Sequence, residues 1–115
     1  MRRLLLCLAV CVAPPVLAAQ ESAGKVYSGR EASALRCANA MAFTAVALDS
    51  VGALAPGEKD VMLGVTIRIL ERHVSGTWEQ KKQALAVIRD RHDPQDTLDD
   101  FRRYAESCLK EFPIN

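Results

Sequence analysis

Four cysteines, two histidines and a scatter of serines and carboxylates are the side chains of this 115-residue chain with chemistry available to them. A redox centre needs closely spaced cysteines such as Cys-x-x-Cys, or an isolated activated thiolate. Haem attachment needs Cys-x-x-Cys-His. Neither pattern occurs among Cys7, Cys11, Cys37 and Cys108. His73 and His92 fall on different predicted elements, whereas zinc sites favour a short-spaced pair supported by further ligands. His92, Asp93 and Asp96 form the densest group of potential ligands, but they lack the glycine and alternating acids of a calcium loop. A turn followed by a helix cap accounts for the same residues. Ser50, Ser75 and Ser107 lack the glycine-flanked setting of a nucleophile turn. Asp99 and Asp100 are adjacent on a predicted helix, so they diverge instead of facing each other across a bond. No catalytic residue, metal ligand or cofactor site is therefore assigned, and the chain is expected not to be an enzyme.

The cysteines carry a different message once the start of the chain is considered. Arg2 and Arg3 give a short basic start, Leu4 to Val12 is apolar, and Pro14-Pro15 breaks any helix. Val16-Leu17-Ala18-Ala19 then supplies small residues for cleavage near Ala18 or Ala19, the pattern of a secretory signal. A lipidated Cys11 is disfavoured, because Val10 stands where a small residue is normally required. Residues 1–19 are read as a signal peptide, 20–29 as a flexible leader and 30–115 as one helical domain. Cys7 and Cys11 leave with the signal. Cys37 and Cys108 travel to an oxidising compartment, the periplasm or the cell exterior, where an even pair is read as a disulfide.

Removing nineteen residues leaves about 96, enough for one modest core. With Arg2 and Arg3 gone, 13 basic residues face 14 acidic ones, a balance of −1. That argues against a nucleic-acid partner, which needs a clustered basic surface. The opening apolar run is too short to span a bilayer and no later segment qualifies, so the mature chain is not expected to insert in a membrane.

The elements follow from periodicity. About Arg30 to Val51 is rich in Ala and free of Gly and Pro, with Leu35, Ala38, Met41, Ala45 and Leu48 on one side. Phe43, Val46 and Ala47 put apolar surface on another side, as expected of a central helix or a dimer seam. Gly52 and Pro56-Gly57 mark a turn before a second helix, Glu58 to Val74, which Ser75-Gly76 stops. Thr77 and Gln80 have the form of a capping box, starting a third helix at Trp78 with an apolar stripe of Trp78, Leu85 and Ile88. Pro94 lies in a turn, Asp96 or Thr97 caps a fourth helix, and Leu98, Phe101, Ala105, Cys108 and Phe112 repeat along it until Pro113. The fold class is all-α: a small compact bundle of about four helices, stapled by one disulfide between Cys37 and Cys108.

Function is less legible. Charge of both signs gathers from Arg89 to Arg103, either a solvated face of weak local ion pairs or a polar docking edge. The expected role is a non-enzymatic exported protein that binds an unknown protein partner, as an inhibitor, an immunity protein or an accessory subunit; a homodimer is a further possibility. The alternative is an acid- or stress-responsive periplasmic chaperone. In broad form the chain resembles the small acid-activated periplasmic chaperones, which are helical, of similar mature length and carry one disulfide, although no motif is shared. That resemblance implies opening driven by carboxylate protonation. A hydrolase or metalloprotein ranks last, with the His92 turn as its one foothold.

Overall fold

The computed structural model describes residues 24–115, and the expected signal segment with Cys7 and Cys11 lies outside them. The described residues form four helices and no strand: α1 Gly29–Ser50, α2 Glu58–His73, α3 Trp78–Arg91 and α4 Pro94–Glu111. Alanine makes α1 the hub. Ala34, Ala38 and Ala45 are completely buried, and small side chains let neighbouring backbones come close at low entropic cost. α1 packs against each of the other three helices, most extensively against α2, as its nearly all-round apolar surface predicts.

The core joins Ala34, Leu35 and Ala38 of α1 to Ile69 and Leu70 of α2, with Val74 beyond it, and to Cys108 and Phe112 at the end of the chain. Leu85 and Ile88 of α3 pack against this cluster while remaining partly exposed. Cys37 and Cys108 are bonded, with Cα atoms 5.9 Å apart, inside the range a disulfide bridges. The staple thus joins the middle of α1 to the last turns of α4.

Helix ends are settled by local chemistry. Ala53 N–H donates to Leu48 C=O at 2.9 Å and Gly52 N–H to Asp49 C=O at 3.0 Å. Gly52 has φ of 70°, so α1 closes in a Schellman motif that a left-handed glycine makes possible. The Thr77–Gln80 capping box is complete: Thr77 N–H donates to Gln80 Oε1 at 3.0 Å and Gln80 N–H to Thr77 Oγ1 at 3.2 Å.

Two expectations are corrected. α4 begins at Pro94 with Asp93 as its cap, three to four residues earlier than the cap read at Asp96 or Thr97. Proline is a good first helical residue, since its fixed φ fits and its missing N–H needs no partner. Trp78 is 43% exposed instead of lying in the core stripe. Its place near the core is taken by Lys81, which buries its stem and donates to Leu70 C=O at 2.9 Å. The lysine thereby caps the carbonyl end of α2, with its ammonium 5.0 Å from the Trp78 ring centre.

Gly76 connects this region to the leader. Its φ is 95°, and an added Cβ would lie 2.6 Å from Gln80 Oε1 and 2.8 Å from Tyr27 Oη. Gly76→Ala is therefore expected to destabilise by about 2 kcal/mol, combining left-handed strain with loss of half the capping box. A urea melt within 0.5 kcal/mol of the parent would contradict this.

Thr44 of α1 tests a different feature. Its side chain is buried and Oγ1 has no hydrogen-bond partner among the described residues. Thr44→Val keeps the shape and removes the orphaned hydroxyl, so stability should rise by about 1 kcal/mol. A loss measured by thermal melting would show that the oxygen is satisfied in solution.

Candidate functional site

Two clefts open beside α1, and their charge patterns differ. The first, about 320 Å³, lies between α1 and α4 over the disulfide, with Met41, Phe101 and Tyr104 in its wall. At its edge Arg36 and Asp100 are paired at 3.1 Å, and Glu111 and two serines add mixed polarity. Paired exposed charges select weakly among ligands.

The second cleft is a groove of about 450 Å³ between residues 24–27, α1 and α3. Its floor is apolar: Ala32 and Leu35 of α1, Ala84, Val87 and Ile88 of α3. Its border holds Lys25, Arg36, Arg91 and His92, and among the described residues no carboxylate lines it. A weakly polar trough bordered by charge of one sign is the more selective of the two surfaces.

The groove's outer wall is held by Ser75. Residues 24–28 have no regular secondary structure, yet they are bonded to the α2–α3 turn. Tyr27 Oη donates to Ser75 C=O at 2.7 Å, and Lys25 Nζ donates to Ser75 Oγ. Glu31 of α1 completes the set by accepting Ser75 N–H at 2.6 Å. That bond, foremost, holds the Glu31 carboxyl below its ordinary value of 4.5; the Ser75 hydroxyl and the positive charges of Lys25 and Lys81 act in the same direction, against some desolvation. Burial, assisted by the negative charge of Glu31, pushes the Tyr27 phenol up.

The sign of the pH effect follows. A depressed carboxyl contributes stability above its unfolded pKa, and the contribution disappears as pH falls through the folded value. The parent protein is thus expected to lose more stability between pH 7 and pH 3 than Glu31→Gln, which cannot titrate there. Equal losses in parallel urea melts would remove Glu31 as an acid-sensitive tie.

The sequence-derived candidates are dispersed. His73 Nε2 lies 2.8 Å from Pro113 C=O and its ring stands edge-on to Phe112 at 5.4 Å. His92 closes α3 through its backbone N–H, bonded to Ile88 C=O. The Asp93 carboxylate accepts Gln95 N–H at 2.8 Å, as a helix cap does. Asp99 takes a bond from the Gln95 side chain, and Ser50 and Ser107 donate back to carbonyls of their own helices. Among the described residues no three His, Cys, Asp or Glu side chains converge as metal ligands. No helix among them is long and apolar enough to cross a membrane. Lys25, Arg36 and the Glu31–Ser75 tie had no signal in the sequence, because the groove draws on three separated segments. Of the expected apolar stripe on the third helix, only Ile88 reaches the groove. Comparison with known proteins finds no matching family model, no matching curated protein and no matching solved structure.

Proposed function

We propose that this chain is a non-enzymatic protein of the periplasm or cell exterior that works by binding another protein, in the manner of an inhibitor, an immunity protein or an accessory subunit. The observation that carries the reading is the α1–α2 hairpin. Val46, Val51, Val61 and Ile67 remain exposed there, Val51 at 74% and Val61 at 67%. Covering one such side chain fully is worth about 1.5–3 kcal/mol, so an apolar partner surface has something to gain on this arm. The disulfide supports the extracytoplasmic half of the reading, since such bonds persist where thiols oxidise.

Affinity capture from an envelope extract, with the oxidised protein as bait, tests it. A defined partner should be retained by the parent and lost by a Val51→Asp/Val61→Asp variant. Recovery of no specific partner, or equal recovery by both baits, overturns the reading. Sedimentation of the purified protein identifies the case in which the partner is a second copy.

The acid-responsive chaperone is the second reading, favoured by the Glu31–Ser75 bond, whose acceptor is a carboxylate that protonation would neutralise. Protection of an aggregating client at about pH 3, absent at pH 7, would support it. Lack of protection at both removes it.

A further inference from the structure

We infer that the groove between residues 24–27, α1 and α3 binds a single-chain anionic amphiphile, a free fatty acid, with its tail along the apolar floor and its carboxylate at the basic border. This does not rest on the protein-binding reading, which concerns the α1–α2 hairpin.

Size decides first. The groove's volume of about 450 Å³ falls in the range of small-molecule sites, roughly 300–1,000 Å³. A protein partner covers about 800 Å² on each side, far more than this trough offers. The apolar surface is also unspent: Val87, in the floor, is 44% exposed, and Val26, in the wall, is 89% exposed. An acyl chain laid there would cover part of this surface, at about 25 cal/mol for each Å² removed from water.

Charge decides the head group. Of the three basic residues on the border, Arg36 is paired with Asp100, and Lys25 donates to the Ser75 hydroxyl while its charge also acts on the Glu31 carboxylate. Arg91 has no ion-pair partner among the described residues; the neighbouring Asp90 is paired with Arg89 at 3.3 Å, and Asp93, which accepts Gln95 N–H and keeps its charge, is not among the residues that line the groove. The carbonyl end of α3 adds about half a negative charge nearby, less than the full charge of Arg91, and among the described residues no carboxylate lines the groove. An anion therefore gains here, and a cation does not. A free acid suits the groove better than a bilayer lipid. Without the expected signal segment, 13 basic residues meet 14 acidic ones, too even a balance for an anionic membrane surface.

Titration calorimetry of the oxidised protein with dodecanoate, below its micelle-forming concentration at pH 7.5, tests the inference. Saturable binding at one site per chain is expected, with 1-dodecanol at least tenfold weaker. Arg91→Glu should weaken dodecanoate about tenfold, Val87→Asp should abolish binding, and Val61→Asp should leave it unchanged. Circular dichroism confirms that each variant is folded. Should Arg91→Glu not fold, Arg91→Gln with Lys25→Gln replaces it, with the same loss expected. Absence of saturable heat, equal affinity for the alcohol, or a charge variant that binds like the parent overturns the inference. Binding to phosphatidylglycerol vesicles without binding of dodecanoate overturns it too, and assigns the basic border to a membrane surface. Because Val61→Asp lies on the hairpin, failed partner capture and failed fatty-acid binding remain separate outcomes.

Discussion

Replacing Cys37 and Cys108 together by alanine is expected to lower the unfolding free energy by about 4 kcal/mol in urea melts, with a fall in melting temperature of about 20 °C. The argument begins in the unfolded chain. The bond joins residues separated by 71 positions, and closing a loop of that length removes more denatured-state freedom than closing a short one. Domains of this size have a total stability of about 5–15 kcal/mol, so a contribution of this magnitude approaches the difference between folded and unfolded. The native side of the balance points the same way. Cys108 is buried in the core cluster while Cys37 is half-buried against it, so alanine at both positions also removes two sulfurs' worth of packing. A loss below about 1 kcal/mol would mean that α4 stays docked on α1 by side-chain packing alone, and that the chain is equally suited to a reducing compartment.

How the staple works also shows what could be read from the sequence. Cys108 was placed on the inner side of α4 by its spacing from Phe101, Ala105 and Phe112, because helical periodicity records which positions meet the core. The Thr77–Gln80 box was equally legible, since both of its bonds are local. The start of α4 was not, because proline both excludes helical angles from the residue before it and favours them at its own position; Asp93 is extended with ψ of 137° and the helix begins at once. Trp78 and Lys81 exchanged roles for a tertiary reason. A hydropathy stripe ranks tryptophan above lysine, but only Lys81 can bury a flexible stem and still deliver a donor to Leu70 C=O at the end of another helix. The groove was hidden for the same kind of reason. Its basic border comes from Lys25, Arg36 and Arg91, which no spacing rule connects, and its outer wall depends on Ser75 receiving three partners from the N-terminal side. Local chemistry is written in the chain order, while a surface assembled across helices appears only after packing.

Phe112→Ala should be the most damaging single substitution in the domain, costing about 3–5 kcal/mol. The ring is 1% exposed, and it is the hub of a fastening that holds the last residues of the chain. The Arg30 guanidinium lies 5.1 Å from the ring centre and the same residue donates to Glu111 C=O at 2.7 Å. His73 meets the ring edge-on and bonds Pro113 C=O, and Arg72 donates to Asn115 C=O. Three basic side chains from α1 and α2 thus occupy carbonyls at and beyond the end of α4, where the helix leaves them without internal partners. Without the ring, Arg30 and His73 lose the surface that orients them, so these bonds should weaken together. Hydrogen exchange separates this fastening from the disulfide. Cys108 still anchors α4 one turn earlier, so amides after residue 108 should lose protection at once in Phe112→Ala, while those from Thr97 to Tyr104 should follow only the drop in global stability. Uniform loss along the whole of α4 would show instead that the tail and the staple act as one cooperative unit, and that the disulfide alone does not keep this helix on α1.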